Sequence, residues 1–68
     1  MEDAQDMAEK LERYECFARC LRDELATTDQ KLQTLKAQGK TKTATYRQLF
    51  GSRFMLEEMV SCLDEAGL

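Results

Sequence analysis

Proline, histidine and tryptophan are absent from this 68-residue chain, and glycine occurs only at Gly39, Gly51 and Gly67. Without proline, no position is barred from a helix by a missing N–H or a ring clash. Without histidine, the usual general base for a serine or cysteine nucleophile is missing. No run approaches the roughly 18 consecutive apolar residues of a membrane span, and the acidic start lacks the basic-then-apolar layout of a signal peptide. These absences predict a soluble, cytoplasmic protein that is not an enzyme. The odd number of cysteines, Cys16, Cys20 and Cys62, fits a reducing compartment better than a secreted disulfide framework.

What is present favours helix. Ala, Leu, Met, Glu, Lys, Gln and Arg dominate, and all are good helix formers. A chain of this length makes one domain at most, and one that hides only about 60% of the surface its unfolded form exposes. It therefore needs a staple: a disulfide, a metal, very regular packing or a partner.

The formal net charge of −3 conceals three blocks. The acids Glu2, Asp3, Asp6, Glu9, Glu12, Glu15, Asp23, Glu24 and Asp29 outnumber the bases in residues 1–29. Residues 30–56 hold Lys31, Lys36, Lys40, Lys42, Arg47 and Arg53 with no acid, and Glu57, Glu58, Asp64 and Glu65 follow.

Met7, Leu11, Tyr14, Ala18, Leu21, Leu25, Thr28, Leu32 and Leu35 are spaced alternately four and three apart. This is a heptad stripe, the signature of a left-handed helix pair. It crosses the polar Thr27-Thr28-Asp29 cluster in phase, predicting one continuous helix over about 4–38. Gly39 offers a left-handed C-terminal cap, with Lys36 in the last turn to suit the helix dipole. Residues 39–44 read as a loop. Thr45 with Gln48 resembles a capping box for a second helix over about 45–66, with Thr43 as the alternative cap. The second stripe is Tyr46, Leu49, Arg53, Leu56, Val60, Leu63 and Gly67.

Antiparallel pairing of the stripes gives the layers Leu35/Tyr46, Leu32/Leu49, Thr28/Arg53, Leu25/Leu56, Leu21/Val60, Ala18/Leu63 and Tyr14/Gly67. The two polar core residues face each other, and Asp29 stands close enough to neutralise Arg53. A single polar layer of this kind sets register at some cost in stability. The predicted fold is an all-α, coiled-coil-like two-helix hairpin.

Such a hairpin leaves apolar surface uncovered. Met7 and Leu11 lie on the stripe beyond the end of the second helix. Met55, Met59, Cys62 and Ala66 form a flanking stripe at c and g heptad positions, matched on the first helix by Phe17 and Cys20. The opposite flank, with Glu15, Arg22, Asp29, Lys36, Glu57 and Asp64, is expected to face solvent. A contiguous exposed apolar strip marks an interaction surface, so these eight residues, Met7, Leu11, Phe17, Cys20, Met55, Met59, Cys62 and Ala66, are the predicted protein interface. A wide amphipathic face folding over its own seam is the bland alternative. A homodimer closing into a four-helix bundle is the simplest solution, with another helical protein as the other possible partner. If its hairpins lie antiparallel, each basic tip meets an acidic open end.

Sharper chemistry finds less support. The Cys16-x3-Cys20 spacing resembles that of the small mitochondrial intermembrane chaperones, which are also helical hairpins. They carry a second such pair, and Glu58 stands where the partner of Cys62 would be. Cys20 and Cys62 are neighbours in the derived register, so a bridge between them is conceivable, with small packing residues as the plain reading. Three cysteines and no histidine make an unpromising zinc site, and no cofactor is expected. Gly39-Lys40-Thr41 resembles the end of a phosphate-binding loop, but Thr34 replaces the first glycine and no strand precedes it. The alternative function is nucleic-acid binding by Lys36, Lys40, Lys42 and Arg47 around the loop, with Tyr46 nearby.

Overall fold

A computed structural model describes residues 4–68; Glu2 and Asp3 of the acidic block lie outside them. Two helices pack against each other, and there is no strand among the described residues. Helix α1 runs Ala4–Ala37 over 34 residues, unbroken through Thr27-Thr28-Asp29. Helix α2 runs Ala44–Glu65 over 22 residues. The rod they form measures 56 × 16 × 16 Å. At about 1.5 Å per residue, α1 outreaches α2 by roughly 18 Å, so the first turns of α1 form a single-helix overhang.

Burial follows the heptad stripe. Every residue of the six layers from Ala18/Leu63 to Leu35/Tyr46 is buried or half-buried, and the only other described residues that covered are Arg22, Asp29 and Leu68. Ala18, Thr28 and Leu32 are the most buried, all on α1. The seventh layer, Tyr14/Gly67, does not form: Tyr14 is 60% exposed and Gly67 is exposed as well. The reason lies in the end of α2. Gly67 is not a helical residue facing α1 but a left-handed cap, with φ +81°, that turns the chain back.

The two helices stop in the same way. Gly39 N–H donates to Lys36 O (3.0 Å) and Lys40 N–H to Leu35 O (2.8 Å), with Gly39 at φ +72°. Gly67 N–H donates to Asp64 O (3.1 Å) and Leu68 N–H to Leu63 O (2.9 Å). Both are Schellman motifs, which satisfy terminal carbonyls that the helix leaves open. At the start of α2 the cap is Thr43 rather than Thr45. Its extended backbone ends the loop, its Oγ1 accepts from Tyr46 N–H at 3.2 Å, and the same hydroxyl donates to Lys40 O at 3.1 Å. Thr45 lies inside the helix, so it is too late to cap it.

Charged contacts line one flank of the seam. Arg53 Nε lies 2.8 Å from Asp29 Oδ1 and 3.2 Å from Glu57 Oε1. Neither oxygen lies along the N–H direction, so this solvent-excluded atom is balanced by charge and not by an aligned hydrogen bond. Further along, Arg22 donates to Asp64 Oδ1 at 2.6 Å and to Leu68 O at 3.1 Å, pinning the turned-back end of α2 against α1.

Candidate interaction surface

An isolated helix of overhang length gains little in water without a face to pack against. Here α1 carries its heptad stripe into the overhang with no α2 opposite. Met7 is 63% exposed, Leu11 51% and Tyr14 60%. Phe17, on the g flank just below, is exposed too. On α2 the same flank presents Met55 and Met59, and Cys20, Cys62 and Ala66 are exposed beside them. All eight residues of the apolar strip are thus at the surface, in two groups: Met7, Leu11, Phe17 and Cys20 along α1, and Met55, Met59, Cys62 and Ala66 along α2. The three thiols are free.

The flank also has a hollow. Near the loop, Thr27, Gln30, Lys31, Thr34 and Leu35 of α1 and Thr45 and Leu49 of α2 line an open groove of about 530 Å³. Lys31 and Thr45 are g residues, and Thr27 and Thr34 are c residues. This places the groove on the flank that carries Phe17 and Met59. Short threonine side chains leave the half-buried Leu35 and Leu49 uncovered at its floor.

The opposite flank is not wholly charged. Phe50 stands there at an e position, exposed and stacked on Tyr46 with ring centroids 6.3 Å apart and planes at 29°. Phe54, one turn further on, is 62% exposed. Sequence reasoning passed over both because neither lies on the core stripe or the g flank. Their signal was the i, i+4, i+8 spacing of Tyr46, Phe50 and Phe54, which forms a ridge along a helix.

Lys36, Lys40, Lys42 and Arg47 are exposed around the tip. Arg47 lines a shallow hollow with Thr41, Tyr46, Phe50 and Gly51. Lys36 lines another, between the helices, with Tyr46, Phe50 and Arg53. The aromatic pair therefore has a basic side chain on each side.

No family model, curated protein or solved structure matches the chain. Its geometry alone has to carry a functional reading. Among the described residues no group of His, Cys, Asp and Glu is placed to hold a metal ion, and no helix is long and apolar enough to cross a membrane.

Proposed function

We propose that this chain is a small helical interaction or assembly module whose first partner is a second copy of itself, together forming a four-helix bundle. One observation carries the reading. Among the described residues only Ala18 and Leu32 are buried as apolar residues, while Met7, Leu11, Tyr14, Phe17, Met55 and Met59 are each more than a third exposed. At about 25 cal/mol per Å² of apolar surface removed from water, covering such side chains contributes stability that a single hairpin leaves unrealised. A second hairpin supplies that cover with matching helix spacing. Three free cysteines suit a reducing, cytoplasmic setting for it.

Sedimentation equilibrium tests the proposal. The wild type is expected to run at twice the chain mass. The double variant Phe17→Glu, Met59→Glu is expected to run as a monomer that keeps helical circular dichroism. A wild type that is monomeric and stable at all concentrations would refute the reading.

A second reading is favoured by the stacked Tyr46–Phe50 pair between Lys36 and Arg47. An exposed ring beside phosphate-binding cations is the arrangement on which single-stranded nucleic acid stacks its bases. Fluorescence anisotropy with mixed single-stranded oligonucleotides at low and moderate salt decides it. Binding at low salt that weakens in Phe50→Ala supports this second role, and no binding at low salt ends it.

A further inference from the structure

The groove near the loop and the overhang at the other end of the rod are complementary in shape and polarity, and the two ends are opposite in net charge. The groove is a concave apolar site floored by Leu35 and Leu49. The overhang is a convex apolar ridge formed by Met7, Leu11 and Tyr14. Lys31 edges the groove; on the overhang the g flank carries Lys10, Asp6 and Arg13, while Glu9, Glu12 and Glu15 lie on its other faces and make that end acidic as a whole.

We infer that two copies pack antiparallel through the g flank, the Met7–Tyr14 ridge of each seated in the other's groove, along α1 from Thr27 to Leu35. This rests on the homodimer proposed above and adds which surfaces meet. Symmetry carries the argument further than shape alone. A two-fold contact is self-complementary, so ridge and groove must lie at equal distances on either side of the axis. Leu11 and Lys31 are about 20 residues apart on α1, roughly 30 Å. The midpoint falls at Leu21, whose layer partner is Val60, next to Met59. The axis therefore passes beside Met59, a flexible apolar side chain on the same flank that packs against its own copy without a charge conflict. Phe17 then falls one turn from the axis, opposite the partner's Met55 region. One axis thus accounts for the overhang, the groove and the apolar strip together.

Charge adds direction. A parallel pairing sets acidic overhang beside acidic overhang and basic tip beside basic tip, whereas the antiparallel one sets unlike ends together.

The experiment combines a distance with two kinds of variant. In a Cys16→Ser, Cys20→Ser, Cys62→Ser background, Gln38→Cys places a spin label at the tip. The proposed dimer puts the two labels about 50 Å apart, since each tip is ~25 Å from the axis. A parallel dimer puts them within about 20 Å, given helix diameters of roughly 10–12 Å. Two overhangs paired end to end put them roughly 90 Å apart. Leu11→Ala with Tyr14→Ala is expected to raise the dimer dissociation constant at least tenfold. So is Thr34→Tyr, which lays a ring over the groove from an exposed position while leaving the protomer helical. A dimer with labels at about 20 or 90 Å, or one indifferent to these substitutions, overturns this arrangement and leaves the homodimer standing. A wild type that stays monomeric overturns both. A groove filled by a different protein would show as loss of that partner in Thr34→Tyr with no change in self-association, which also refutes the inference.

Discussion

At the scale of residues, the polar layer is where the fold spends stability for definition. Thr28 is buried, and opposite it Arg53 reaches out of the seam to Asp29 and Glu57. These side chains are more than a third exposed, so water screens the attraction, and exposed pairs of this kind contribute about 0.2–1 kcal/mol. Replacing Arg53 alone by Ala leaves Asp29 and Glu57 without their shared cation and is expected to cost about 1 kcal/mol. The joint change Thr28→Val, Arg53→Leu converts the layer to an apolar one. It is expected to raise the urea midpoint above wild type, because the apolar surface gained in the seam outweighs the roughly 1 kcal/mol of a screened, exposed ion pair with Asp29 and Glu57. The cost is expected in uniqueness, since a uniform apolar seam no longer penalises a one-heptad slip. Urea titration at fixed protein concentration checks the stability, and broadened or doubled amide resonances in the joint variant check the register. A joint variant less stable than wild type would contradict the account.

At the scale of elements, Gly39 and Gly51 have different jobs, and substitution separates them. Gly39 ends α1 at φ +72°, where a side chain is strained whatever space surrounds it. Gly39→Ala is expected to destabilise by about 1–2 kcal/mol, the cost of a left-handed backbone for an L-residue. Gly51 lies within α2, with no positive φ and nothing within 4 Å of an added Cβ. There Gly51→Ala is expected to stabilise by about 0.5–1 kcal/mol, because glycine gives up more backbone freedom on entering a helix. Thermal or urea unfolding of the two variants side by side provides the measurement, and shifts of the same sign would refute it. A cap requires an extended residue just before the first helical turn, and the chain has that at Thr43, with Ala44 already helical.

At the scale of the whole molecule, a rod with three buried residues among those described and a one-helix overhang has little cooperativity to spare. If folding and pairing are linked, as the proposed homodimer requires, mass action makes apparent stability depend on protein concentration. The melting temperature is expected to rise by several degrees over a hundredfold increase in concentration, and in Phe17→Glu, Met59→Glu to be lower and independent of it. Calorimetry or circular dichroism over that range decides the point, and a concentration-independent wild-type transition would count against the coupling. The overhang is expected to respond most, with amide exchange over residues 4–14 slowing as concentration rises.

Periodicity and composition were sufficient for the architecture. Two heptad stripes, no proline and a glycine between them leave a helical hairpin as the natural solution. Local chemistry also placed the end of α1 at Gly39 and put Asp29 beside Arg53, because capping and near-neighbour charge depend on few residues. What periodicity cannot convey is where a layer ceases to be one. Gly67 continues the stripe in number, but in space it is the turn that ends α2, so Tyr14 joins Met7 and Leu11 on the uncovered ridge. Nor does a heptad pattern reveal a groove. That depends on the volume of flanking side chains across two helices at once, and only the packed structure sets Thr27, Thr34 and Thr45 around Leu35 and Leu49. The exposed Phe50 and Phe54 are different: their ridge with Tyr46 was legible in the spacing along α2, and the packed structure adds only that both stay uncovered. Spacing along one chain is a one-dimensional signal and determines which helix faces are apolar; whether a given apolar face is covered is decided in three dimensions.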